Sequence, residues 1–196
     1  MKNILVICLF AALLAACKKD ADTSNPTIEY YFYGKLDGAP LKFEISDASA
    51  AGMATSNEGH LDPLGWCVYS YGCGIGTDLG GPKEKSVTVS FPDLFLDECD
   101  KQLSKFPLLF QTQVYPYGDT INMVRVTYFD GTDSWTSSGP LQTGASFEIT
   151  KSETIKSEFG ISQKVTGTLS CSLFNAAGAV KKLEGASFAL SFWPEI

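Results

Sequence analysis

The sequence holds one histidine and one arginine, and it has no apolar run long enough to cross a bilayer. Each scarcity removes a class of function. With Arg125 as the lone guanidinium, no lysine-rich run and a formal net charge of −7, the chain lacks the cationic surface that phosphate backbones require. Nucleic acid is therefore not an expected partner. His60 is the only imidazole available to activate a serine, and it sits in Glu58, Gly59, His60, Leu61, Asp62 with no nucleophile-elbow motif anywhere in the chain. It reads as an exposed loop residue. A zinc site would need more than this one histidine, and the interval from Cys67 to Cys73 is wider than the usual ligand pair.

What is present begins with an address. Met1, Lys2 and Asn3 precede an apolar stretch at 4–14, which ends in Leu14, Ala15, Ala16, Cys17. A charged start, a short greasy core and small residues before a cut site are the marks of a secretory signal. The stretch falls well short of the roughly 20 residues a permanent transmembrane helix needs. Residues 1–16 are thus expected to be removed as a signal peptide. The tetrad resembles the lipobox of bacterial lipoproteins, which implies acylation of Cys17 and a membrane partner engaged through that anchor. Two acyl chains hold a protein stably where one does not.

Residues 17–27 comprise the lipidated cysteine and a stretch of charged and small residues that reads as a flexible tether. Lys18 stands where inner-membrane retention signals carry an aspartate, so the expected location is the outer membrane. The periplasmic and cell-surface faces are both compatible with it. Loss of Lys2 with the signal makes the mature chain one unit more negative.

Residues 28–196 suffice for a single domain without an internal linker. Four thiols remain there: Cys67, Cys73, Cys99 and Cys171. In an exported chain an even number suggests disulfides, and four cysteines allow three pairings. Cys67 and Cys73 could close a small loop; free buried thiols acting as small hydrophobes are the rival reading.

Along the domain, residues 28–36 are crowded with Tyr30, Tyr31, Phe32 and Tyr33, and Asp37-Gly38 turns them toward Leu41, Phe43 and Ile45, a hairpin signal. Residues 46–65 are small, polar and aperiodic and read as a long loop. A strand is expected at 66–71, another glycine-rich loop from Gly72 to Gly81, and an alternating strand at 86–91. Pro92 and Asp93 with the acids after them could start one short helix. Strands are expected at 108–114 and 121–129, with Asp130-Gly131 turning the second toward Trp135. Toward the end, Phe147 and Ile149 mark one strand, and Val165, Leu169, Cys171 and Leu173 share a face of a long one. Phe188, Leu190 and Phe192 align in the last, and Asn175 to Gly178 supply the turn before it. Short strands divided by turns predict an all-β fold, an antiparallel β-sandwich or barrel of about eight to ten strands.

The run from Tyr33 to Gly38, the run from Val165 to Cys171 and the closing run from Leu183 to Phe188 resemble a loose family of small β-rich bacterial lipoproteins. Its members share an early strand with a Gly and an Asp-Gly turn, and a terminal pair of glycine-bearing strands. The resemblance implies the fold and carries no catalytic residue. The 46–65 segment and Cys67, Cys73 and Cys99 depart from that pattern.

No set of residues reads as catalytic, and an enzyme is not the expected function. Asp93, Asp97, Glu98 and Asp100 are close in sequence and could serve as a glycosidase pair or offer oxygens to calcium, as could Asp130 and Asp133, but neither group has an EF-hand loop. Both read more simply as solvated acids, so no cofactor or metal is assigned. The glycines at 72–81 lack the register of a phosphate cradle. Aromatic residues near turns, Trp66, Tyr69, Tyr71, Tyr115, Tyr117 and Trp135, could stack on a sugar or grip a peptide. Of these, Tyr115, Tyr117 and Trp135 are expected to be exposed and to bind ligand. The function so implied is that of a membrane-anchored, extracytoplasmic binding module for a glycan or an envelope protein. A structural or assembly accessory is the alternative, and a hydrolase is a more distant one.

Overall fold

A computed structural model describes residues 29–46, 51–119, 123–139, 142–157 and 160–194. The expected signal peptide and tether, with Cys17, and Ile28 and Ile121 lie outside the described residues, as does the side chain of Asp93.

The fold is all-β and antiparallel, as the alternation and turn spacing predict. Ten strands make one hydrogen-bonded sheet: β1 (Tyr30–Leu36), β2 (Ala39–Ile45), β3 (Ala51–Leu61), β4 (Cys67–Thr77), β5 (Lys85–Leu96), β6 (Arg125–Phe129), β7 (Ser134–Thr136), β8 (Ser146–Ser157), β9 (Gly160–Phe174) and β10 (Val180–Phe192). Their order is β2-β1-β10-β9-β7-β6-β5-β4-β3, with β8 joined to β9 off this path. The two ends, β2 and β3, are not bonded to each other, so the sheet is not a closed barrel. It folds over one core. Phe32 and Phe43 from one end of the sheet belong to the same buried cluster as Ile75 and Val87 from the other. At its centre the Phe91 ring meets Phe110, Tyr115, Phe147 and Phe192 edge-on, with centroids 5.1 to 5.9 Å apart, the arrangement that aromatic quadrupoles favour.

The first hairpin follows its turn chemistry. Asp37 and Gly38 both adopt positive φ, 50° and 79°, as a two-residue turn matched to strand twist requires. The Asp37 carboxylate also accepts the Lys182 N–H at 2.8 Å, which pins this turn to β10. In β9, Val165, Leu169, Cys171 and Leu173 are all buried on the core side, and in β10 so are Phe188, Leu190 and Phe192.

Three expectations are corrected. The supposed loop at 46–65 contains β3, paired with β4 from Ala51 to Leu61. It lacks hydrophobic alternation because it is an edge strand whose order comes from backbone bonds to β4. The glycine-rich segment from Gly72 belongs to β4, which runs on to Thr77. Tyr71, Cys73 and Ile75 face the core while Gly72, Gly74 and Gly76 alternate onto the other side. A Cβ at Gly72 would lie 2.5 Å from Ser56 Oγ, and one at Gly74 2.9 Å from Thr88 Oγ1. These glycines permit close strand packing and do not make turns.

The third correction concerns 92–114. β5 continues to Leu96, and helical turns follow at Cys99–Lys101, Gln102–Lys105 and Phe106–Phe110, where a strand from 108 is predicted. Pro107 near the start of the last turn suits a helix, and Phe106 and Phe110, four apart, are both fully buried. Asp130 and Gly131 make the turn into β7 as expected, with the Asp130 N–H donating to Asp133 O at 3.2 Å.

A candidate binding groove at the fork of the sheet

The long strand β9 has two neighbours on one side. β8 pairs with it from Gly160 to Ser170, whereas β7 touches it only where Thr136 faces Phe174. Between them Ser172 has no strand partner on that side. The Gln142 side chain takes the place of one: its Nε2 donates to Ser172 O and to Ser137 O, both at 2.8 Å, and its Oε1 accepts the Ser172 N–H at 2.9 Å. The sheet thus splits without leaving Ser172 unsatisfied.

The split opens a groove of about 710 Å³, whose walls include Val114, Tyr117, Asp119, Ser138, Gln142 and Ser146. Tyr117 fixes one wall. Its hydroxyl lies 2.8 Å from Ser146 O and 3.1 Å from Ser170 O, bridging β8 and β9, and its ring meets Phe147 edge-on. Burial and the adjacent Cys171 push the Tyr117 phenol well above its ordinary range. It is a neutral donor at any physiological pH. Asp119 forms the other wall: its Oδ1 accepts from Ser138 Oγ at 2.6 Å and from Arg125 Nη1 at 3.2 Å. Beyond that pair Arg125 lines a second hollow of about 250 Å³ with Ser56, Glu58, Ser70 and Ser90. Asp119 borders both spaces. The combined surface offers a carboxylate, a guanidinium, several hydroxyls and an aromatic wall.

The three aromatics singled out as exposed ligand contacts are placed differently. Tyr117 is half-buried and lines the groove. Tyr115 also borders the groove but is only 4% exposed, with its hydroxyl donating to Leu109 O at 2.7 Å and its ring against Phe91. Its side chain ties the helical turns to the core. Trp135 is 7% exposed. Its Nε1 donates to Asp130 Oδ2 at 2.9 Å, and Lys181 Nζ sits 4.0 Å from the ring centroid while bonding the same Asp130 oxygen. Trp135 is a structural plug over the β6–β7 turn. Proximity to a turn suggested exposure for both, but each ring is turned inward by a hydrogen bond available only from the fold.

The cysteines separate into two pairs of different kind. Cys67 and Cys99 form a disulfide, so the small Cys67–Cys73 loop does not exist. β4 is extended between those two residues, and the five residues of strand between them hold them apart. Cys73 and Cys171 are free and buried, each thiol pushed by burial up to about 12.

Asp97, Glu98 and Asp100 are exposed, as read, whereas the Asp130 carboxylate is engaged by its neighbours. Lys101 reaches Glu98 at 2.8 Å and Asp97 at 3.5 Å. Asp130 accepts from the Asp133 and Thr132 N–H groups as well as from Lys181 and Trp135. Among the described residues no group of three or more His, Cys, Asp and Glu is arranged to hold a metal. His60 is exposed, on strand β3.

Comparisons with protein-family models, with curated proteins and with solved structures return no match.

Sequence reasoning missed Asp119, Ser138 and Gln142. Arg125 carried a signal, since a lone arginine in an acidic chain is more selective than any of the aromatics.

Proposed function

We propose that the protein is exported, acylated on Cys17 and held at the outer membrane as a non-catalytic binding module, with the fork groove as its ligand site. The ligand class that fits is a hydroxyl-rich one, of which an envelope oligosaccharide is the leading example. The observation that carries this reading is the Asp119–Arg125 pair standing between the two hollows, with Ser138 beside it and the Tyr117 ring on the other wall. A carboxylate and a guanidinium side by side accept from and donate to vicinal hydroxyls, and an aromatic wall covers the apolar face of a sugar ring. The lipobox tetrad supports the anchor.

A thermal-shift titration of the mature protein against polysaccharides and peptidoglycan fragments tests the proposal, because a ligand that binds only the native state raises the midpoint. A saturable rise that disappears in Arg125→Ala and persists in Lys83→Ala supports it. A rise that Arg125→Ala leaves intact places the ligand elsewhere.

The alternative, an assembly accessory, draws on β3. That strand is eleven residues long, pairs with β4 alone among the described strands and carries no lysine, arginine or proline, the residues that commonly blunt an edge. Such an edge suits strand addition by a partner protein. Recovery of one stoichiometric envelope protein, lost when Ser56 is changed to Pro, favours that reading over the glycan one.

A further inference from the structure

The β3–β4 connection is short, rigid and apolar at its apex. Asp62 organises it: its Oδ1 accepts from the N–H groups of Leu64 at 2.9 Å and Trp66 at 2.7 Å, and its own N–H donates to Trp66 O at 2.9 Å. The Gly65 N–H closes on Asp62 O at 3.0 Å, with Gly65 at φ +87°. The Cys67–Cys99 disulfide fastens the base of this turn to the start of the helical turns. What the turn presents is Leu64, 83% exposed, flanked by Leu61 at 68% and Trp66 at 42%, with exposed Phe95 on the next strand opposite Val68. Large apolar side chains at a turn apex gain nothing from the core, and the backbone bonds that hold them leave little conformational entropy to lose on docking.

The position of this tip indicates what it meets. Glu29, the first described residue, reaches Lys164, and Lys164 lies opposite Ser191 near the end of β10. Two residues on, Trp193 O accepts from Asn57 Nδ2 at 3.4 Å. From Asn57 the remaining residues of β3 run to Leu61 and the tip, about 13 Å at strand rise. Glu29 is thus connected to the tip through the end of β10 and the second half of β3. The chain from Cys17 to Glu29 spans at most roughly 40 Å when fully extended.

We infer that the Leu61–Trp66 turn docks into the interfacial layer of the bilayer to which Cys17 is anchored, with Leu64 entering the acyl boundary and Trp66 at headgroup depth. This rests on the lipoprotein reading above. Tryptophan is the side chain most at home at that depth, and an apolar contact adds a second attachment to the lipid anchor. Such docking fixes the orientation of the domain, which a tether alone leaves free.

The test uses the full chain expressed in a bacterium, extracted in detergent and reconstituted into phosphatidylcholine vesicles with brominated acyl chains, which quench nearby indoles. Intact mass reports acylation of Cys17. The difference in emission between the wild type and Trp66→Phe isolates Trp66 from Trp135 and Trp193. The expected result is an acylated chain whose Trp66 emission falls about twofold relative to unbrominated vesicles, a fall that Leu64→Asp abolishes while the chain stays vesicle-bound. A mature mass without acyl groups overturns the anchor and this inference together. An acylated, vesicle-bound chain with unquenched Trp66 overturns the inference alone, and if Leu64→Asp also dissolves a dimer seen in detergent, the tip is a contact between copies.

Discussion

The side-chain amide of Gln142 bonds the backbone of Ser172 through both its nitrogen and its oxygen, as a peptide group of a neighbouring strand would. One side chain thereby ends a sheet fork that would otherwise leave a donor and an acceptor unpaired beside the groove.

Gln142→Ala is expected to lower stability by about 1–3 kcal/mol, the usual cost of leaving such groups unsatisfied. Gln142→Glu should be worse near neutral pH, because its carboxylate would face the Ser137 and Ser172 carbonyls. It should recover as acid protonates it. Urea midpoints at pH 7 and pH 4 check both statements, and equal loss in the two variants at both pH values would contradict the account.

Trp135→Ala should destabilise the fold by about 3–5 kcal/mol, as loss of a buried aromatic does, and leave the affinity of the folded protein for its ligand unchanged. Had Trp135 been an exposed contact, the reverse pattern would appear. Urea unfolding and a binding isotherm on the same preparation distinguish the two.

Asp130 gives the fold an acid limit. The Asp133 N–H, then Lys181 and Trp135, hold its carboxyl well below the usual carboxylate range. A folded-state value below the unfolded one means that the associated stability is present above the unfolded value, near pH 4, and is lost as pH falls through the folded one. Unfolding midpoints measured from pH 6 downward should therefore decline below about pH 4. The decline should be shallower in Asp130→Asn; an unchanged slope would show that other carboxylates govern it.

Cys67–Cys99 joins residues 32 apart. Its loss in Cys67→Ser/Cys99→Ser should cost about 3–4 kcal/mol by the loop-entropy relation. In the wild-type native state Cys73 and Cys171 should resist a thiol reagent and react once denaturant is added, since both are buried and their thiols are held protonated. Mass spectrometry after alkylation counts them, and rapid native labelling of either would refute the burial.

Gly72 tests the close packing of β4. Gly72→Ala should destabilise by about 1–3 kcal/mol because the new methyl meets Ser56 Oγ. Ser56→Gly in the same chain should recover part of the loss, a coupling that a double-mutant cycle reads directly.

The parts of the fold that were legible in sequence are those where side chains alone decide. β9 and β10 alternate cleanly because one face of each is core, and Asp37-Gly38 is a turn whatever surrounds it. β3 and the second half of β4 were not legible, since Ser56, Gly72 and Gly74 are small for the sake of their neighbours, and the same residues favour loops when read alone. The fork was hidden for a related reason. Gln142 is one glutamine among polar residues until Ser172, thirty positions on, comes to lie beside it. Trp135 and Tyr115 misled because an aromatic near a turn points outward or inward according to partners that only the fold supplies, here Asp130 and Leu109.

The pairing of β1 with β10 has a consequence for how the chain is made. Tyr31 lies opposite Ala189, so β1, already paired with β2 on one side, finds its other neighbour only in β10. The β1–β10 ladder cannot form until β10 has been synthesised, long after β1, so one side of β1 stays unpaired while everything between them is made.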